Sequence, residues 1–245
     1  RMIKKIVSSK TYRRSSRIES LHREKDAANE LLARAPRFRL QGEFIRDQAL
    51  AVSGLLTKEV GGAGVKPYQP ANIWNEVSLN GGLRYRQDEG EKLYRRSMYT
   101  YWKRSSPMPN MLIFDAPSRE KCVIQRQRTN TPLQALVTLN DPQFVEAGRV
   151  LAQRLIKSAD NAPAKRIDLG YRLATSRPAA KREVEILTRL LNANLERFRK
   201  DPESAKKYLA AGESPRDESI DPAEHAAWMV VTQTILNLDE TLTRN

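Results

Sequence analysis

The residues best suited to chemistry lie between positions 95 and 131. Arg95, Arg96, Tyr99, Tyr101, Trp102, Lys103 and Arg104 interleave aromatic rings with cations. Rings can stack on a sugar or a base while neighbouring cations meet sulfate, carboxylate or phosphate. From this run Arg96, Tyr99, Trp102 and Lys103 are candidate anion- or glycan-binding residues. The plain alternative packs Trp102 in a core and leaves Tyr99 and Tyr101 on an amphipathic strand. A second cluster, Arg126, Arg128, Asn130 and Thr131, precedes a helix start, and adds Arg126 and Arg128 to the candidates. Guanidinium groups beside free helix N–H donors suit a carboxylate or sulfate, or equally an Asp or Glu of the same chain.

Other chemistry has less to build on. Glu43 and Asp47 stand at i and i+4, so both carboxylates project from one helix face as an acid–base pair would. Arg39 and Arg46 beside them fit an ordinary salt-bridged face. The single cysteine, Cys122, allows no internal disulfide and no C-x-x-C-H haem attachment; with no histidine nearby it reads as a small buried thiol in a strand. His22 and His225 lack ligand spacing to it, so no zinc site is expected. Gly61-Gly62-Ala63-Gly64 follows a helix and precedes Pro67 and Pro70, and reads as a helix exit instead of a phosphate loop. No catalytic residue is assigned.

The elements that must position these residues are mainly helical. Apolar side chains recur at three and four over Phe38–Leu56, marking a buried helix. Shorter helices are expected at 2–12 and 27–33, with a polar, arginine-rich connection between them. Thr131-Pro132, Asp141-Pro142, Asp201-Pro202 and Asp221-Pro222 each set a capping side chain before Pro at the first helical position. They predict helices at 132–139, 142–157, 202–210 and 222–242, with one more at 179–199. Arg96–Lys103, Met111–Phe114 and Cys122–Ile124 read as short strands. The expectation is a mainly α fold with a small β or irregular insert around residues 95–127. By segment it is helical over 1–60, β or irregular over 61–130 and helical over 131–245.

Composition sets the outer bounds. The 245 residues carry a net charge of +14 and 40% apolar content, and no apolar run is long enough to span a membrane. For 28.0 kDa, area scaling gives a folded surface of about 11,000 Å². Lys and Arg outnumber Asp and Glu 13 to 5 over residues 1–46, whereas over 201–245 they are outnumbered 4 to 9. Such asymmetry suggests an anionic partner or docking of the two ends, and arginines at helical spacing among carboxylates also fit an ordinary solvated face.

Two stretches are more specific. Residues 96–105, Arg-Ser-Met-Tyr-Thr-Tyr-Trp-Lys-Arg-Ser, and 128–147, which include Thr131-Pro-Leu-Gln-Ala-Leu136, resemble the planctomycete-specific C-terminal domain of unknown function (domain-of-unknown-function family 1553). Phe114-Asp115-Ala116-Pro117 and Leu236-Asn-Leu-Asp-Glu240 fit the same pattern. The resemblance implies the C-terminal domain of a larger exported protein, periplasmic or at the cell surface, whose parent in some members carries a separate cytochrome c module. No cofactor is implied for this stretch itself. The expected role is a non-catalytic structural or interaction domain, with other domains of the parent chain as partners. The alternative is a domain acting on or binding acidic polysaccharide, and nucleic acid is not expected as a partner.

Overall fold

A computed structural model describes residues 1–77, 84–158 and 160–244. The chain is mainly α. Its long helices form the core: α3 (Gly42–Ser53), α7 (Pro142–Ile156), α8 (Pro163–Thr175), α9 (Lys181–Lys200) and α11 (Pro222–Leu236). Shorter helices are α1 (Met2–Val7), α2 (Ser20–Lys25), α4 (Ile73–Glu76), α5 (Pro109–Ile113), α6 (Pro132–Asn140), α10 (Pro202–Leu209) and α12 (Asp239–Leu242). Two-residue strands β1 (Phe38–Arg39) and β2 (Thr243–Arg244) pair antiparallel, and Arg37 forms an ion pair with Asp239. The basic front and the acidic tail of the chain therefore meet.

The sequence explains why these elements form and where they pack. Ile45, Ala49 and Val52 put one side of α3 on α7. The helix ends at Gly54, whose φ of 95° only glycine adopts freely. Asp141, Asp201 and Asp221 cap α7, α10 and α11 by accepting the backbone N–H of Gln143, Ser204 and Glu224. α11 lies at the centre, against α7, α9, α10 and α8. It is buried on nearly every side. Glycines allow the approach: a Cβ on Gly148 of α7 would come within 2.7 Å of the Gln233 side chain, and one on Gly170 of α8 within 3.1 Å of Ile235.

Several expectations need correction. The last helix does not run to Leu242; it breaks at Asn237, where Thr138 donates to the Asn237 side chain at 2.6 Å and Thr241 to the Ile235 carbonyl at 2.8 Å. Those side-chain bonds offset the helix bonds lost at the break. Residues 27–33 are a turn instead of a helix, because the Asp26 carboxylate takes the amides of Glu30 and Leu31. The helix lies earlier, at α2. Helix α8 falls in a stretch to which periodicity assigned nothing.

None of the three expected strands forms. Ser97–Tyr99 is a 3₁₀ turn, since Asp47 captures both the N–H and the hydroxyl of Ser97 at 2.7 and 2.6 Å. Met111–Phe114 falls mostly in α5, begun by Pro109 at its first turn and burying Met111. Cys122–Ile124 has no strand partner among the described residues, and Cys122 is exposed instead of buried. The insert is irregular, with 3₁₀ turns, the short helix α5 and isolated bridges at Thr57–Arg95 and Val65–Thr100; the two-stranded pairing of β1 and β2 lies outside it.

Candidate functional site

The outward side of α3 forms the floor of a groove of about 820 Å³, lined among others by Leu40, Phe44, Asp47, Arg96, Met98 and Arg126. Phe44 and Met98 are exposed within it, at 58% and 69%. Of the six candidate residues it unites Arg96 and Arg126. It also contains the carboxylate pair Glu43 and Asp47, both already engaged. One Arg126 guanidinium nitrogen lies 2.9 and 3.0 Å from the two Glu43 oxygens and donates also to the Gln41 side chain at 3.0 Å. Asp47 fixes Ser97, and its remaining cationic neighbour is Arg46 at 3.6 Å. Carboxylates bound in this way position the insert; they are poorly placed to exchange protons with a substrate.

The other four candidates lie elsewhere, each on an intramolecular partner. The Arg95 guanidinium covers the Tyr99 ring at 4.1 Å, and the Tyr99 hydroxyl accepts the Gly61 N–H at 2.8 Å. Trp102 donates its indole N–H to the Ser118 carbonyl at 3.0 Å, packs on Met108, Met111 and Ala116, and lies under Arg119 at 4.8 Å. The Lys103 ammonium sits 4.5 Å above Trp74. Arg128 covers Phe38 at 4.4 Å, beside a groove at the paired chain ends. The alternation of rings and cations is thus mostly self-satisfied as cation–π pairs.

The same holds at the start of α6. The anion expected there is the chain's own Asp115, which accepts the Thr129 N–H at 2.7 Å and its hydroxyl at 2.9 Å and pairs with Arg39. The glycine cluster serves Arg95 and does not end α3. Its carbonyls at Gly61 and Ala63 accept from the Arg95 guanidinium, the latter at 3.0 Å. Carbonyls turned inward toward a cation are the reverse of a phosphate cradle.

Two buried polar networks went unpredicted. Arg46, 1% exposed, donates to the Leu93 and Arg95 carbonyls at 2.8 Å and to the Gln143 side chain at 2.5 Å. Burial lowers its pKa to about 10, against the opposing pull of Asp47. On α7, the wholly buried Glu146 accepts from Tyr94 at 2.9 Å and from the Ser214 N–H at 2.6 Å. One turn on, Arg149 donates to the Ala211 and Ser214 carbonyls at 3.1 and 2.6 Å. Burial, then the Glu146 charge, pushes the Tyr68 and Tyr94 hydroxyls well up, Tyr94 to about 12. The signal was present: Gln143, Glu146 and Arg149 recur at three on the side of α7 that carries the core.

Among the described residues no three of His, Cys, Asp and Glu converge as a metal-binding group, and no helix is long and apolar enough to cross a membrane. No curated protein and no solved structure matches the chain. A family model does: that of PSD1, the proteins of unknown function DUF1553, matches residues 1–191, and the chain belongs to that family.

Proposed function

We propose that the chain is a non-catalytic structural and interaction domain of a larger exported protein, at the periplasm or cell surface, whose relatives in some cases carry a cytochrome c module. Its partners would be other domains of the parent chain. One observation carries the reading: the charged groups that looked reactive are engaged within the chain, Arg126 on Glu43, Asp47 on Ser97 and Arg39 on Asp115. Export and the haem-bearing parent rest on the family likeness. Cell fractionation with immunoblotting tests the first half; the protein should appear outside the cytoplasm within a polypeptide larger than 28.0 kDa. Recovery in the cytoplasm at this size would overturn it. Release of reducing ends from an acidic polysaccharide, abolished by Glu43→Gln, would overturn the non-catalytic half.

A second reading has one observation in its favour. Arg96 and Arg119 flank exposed Phe44 and Met98 in the α3 groove, and neither arginine has a carboxylate partner among the described residues. An acidic polysaccharide would present sulfate or carboxylate to the cations and a sugar face to the ring. A glycan array with Arg96→Ala and Phe44→Ala as controls decides it; signals that both variants leave unchanged would discard the groove.

A further inference from the structure

The chain exposes 15367 Å² of surface, well above the roughly 11,000 Å² of a compact chain this size. Part of the excess lies in residues 1–34, which bury only Asp26 among them. This segment, about one seventh of the chain, carries 9 of the 21 exposed large apolar side chains recorded among the described residues. It also carries ten Lys and Arg against four Asp and Glu. Apolar and cationic groups thus share one solvent-facing arm.

The arm is ordered mainly by its own polar bonds, with Arg244 from the far end of the chain over the Tyr12 ring at 5.0 Å. In α1, at about 100° per residue, Met2, Ile3, Ile6 and Val7 fall on one side and Lys4, Lys5 and Ser8 on the other. No residue of α1 is buried, and Ile3 is 77% exposed. Residues 26–34 form a braced turn. Asp26 accepts the Glu30 and Leu31 amides at 2.7 and 3.2 Å, Asn29 bonds the Arg34 backbone, and the Arg34 guanidinium donates to the Asp26 and Ala27 carbonyls at 2.9 and 2.8 Å. What this bracing presents is Leu31, 77% exposed, and Leu32, held at a φ of 53° that a leucine rarely adopts. Arg14 donates to the Leu32 carbonyl and ties the turn to the segment that follows α1.

Apolar side chains interleaved with lysine and arginine match the boundary between headgroups and acyl chains of an anionic bilayer. There the apolar face enters the boundary while cations remain among the headgroups. From this complementarity of charge and polarity we infer that residues 1–34 form a reversible docking surface for anionic lipid, lying on the membrane without crossing it. The surface is independent of the α3 groove, so it stands or falls apart from the readings above.

Co-sedimentation of the full chain with vesicles tests it. Phosphatidylcholine vesicles with about one third phosphatidylglycerol should retain the protein at least about tenfold better than phosphatidylcholine alone, and added salt should weaken that retention. Ile3→Glu/Ile6→Glu should lose about tenfold in binding. Because α1 buries nothing, its thermal unfolding should match that of the unaltered chain; Leu31→Glu, on the other apolar feature, should also weaken binding. Failure to bind anionic vesicles, or binding that these variants leave unchanged, would overturn the inference. Equal affinity for soluble polyglutamate would overturn it too, and would assign the arm to an acidic protein face.

Discussion

A guanidinium nitrogen of Arg46 lies 2.8 Å from the carbonyl oxygen of Leu93, so one side chain of α3 holds the insert against the helical core. The same side chain reaches the Arg95 carbonyl and Gln143. Arg46→Met keeps the volume of the stem but leaves the Arg95 carbonyl and the Gln143 amide oxygen without their donor, and the Leu93 carbonyl with only the Gln143 amide N–H at 3.2 Å. The expected loss is about 3–5 kcal/mol, the usual cost of breaking a buried charged network. Arg46→Lys should recover little of it, since one ammonium cannot serve a fork of three directions. Urea unfolding followed by circular dichroism measures both.

Gly212 and Glu146 are matched in the same way. Gly212 has a φ of 83°, and a Cβ there would stand 2.2 Å from the Glu146 carboxyl carbon. Gly212→Ala should push that carboxylate off Tyr94 and Ser214, costing several kcal/mol through strain and lost pairing. Gly61, also at positive φ but with open space around it, isolates the backbone term. Gly61→Ala should cost only about 1 kcal/mol. Equal losses at the two positions would show that the Glu146 contact does not matter.

The caps allow a paired comparison. Asp221 accepts the Glu224 N–H at 2.9 Å, whereas Thr131 makes no side-chain cap bond at the start of α6. Asp221→Ala should cost about 1 kcal/mol and Thr131→Ala less than about 0.5 kcal/mol, read as shifts in the urea midpoint.

These contrasts show which parts of the structure the sequence carries. All four cap-Pro pairs mark helix starts and were legible because a first-turn Pro and its N-cap act locally; at three of them the cap is a side-chain bond between residues two or three apart. The apolar period of α3 was legible because Ile45, Ala49 and Val52 need only their own spacing. The insert was not. Residues 96–103 have strand-like composition, yet Asp47 captures the Ser97 N–H and Arg46 the carbonyl of Arg95 just before them, some 50 positions away. The candidate site split for the same reason. Arg96 and Arg126 meet only because α3 lies between them, whereas Tyr99, Trp102, Lys103 and Arg128 each found a nearer ring, cation or carbonyl.

His225 gives the fold a pH dependence with a fixed sign. It is wholly buried on α11, its Nε2 lies 3.0 Å from the Arg149 carbonyl, and burial, with the Arg149 and Arg216 charges adding, lowers its pKa below the ordinary 6.5. In the range where unfolded His is protonated and folded His is not, the unfolded state binds the extra proton. Stability should therefore fall as pH drops below about 6.5. Keeping above about pH 5 avoids the carboxylates Asp168 and Glu183, which arginines hold below their ordinary values. Asp141, pushed up by burial, acts with the opposite sign in both the native chain and the His225 variant. Urea midpoints at about pH 7.5, 6.5 and 5.5 should decline for the native chain and flatten for His225→Gln. Equal pH slopes in the native chain and His225→Gln would rule out neutral burial.

Trp102 is the residue on which a nucleic-acid role would depend. Base stacking needs a free ring face, and the ring here lies between the Met108, Met111 and Ala116 cluster and the Arg119 guanidinium. Its N–H is already given to Ser118. Trp102→Ala should therefore act on stability, by about 1–2 kcal/mol for a half-buried ring, which at this chain length is a few degrees in Tm. Single-stranded DNA should bind weakly at about 150 mM salt and equally to both proteins. Whatever affinity the +14 charge confers at low salt should fall with salt by counterion release, on the order of a thousandfold from 50 to 200 mM if six phosphates are neutralised. Fluorescence anisotropy with a labelled oligonucleotide separates the cases. A salt slope shared by both proteins marks a diffuse basic surface. Sub-micromolar binding at about 150 mM that collapses with Trp102→Ala would require Arg119 to leave the ring and a base to replace it.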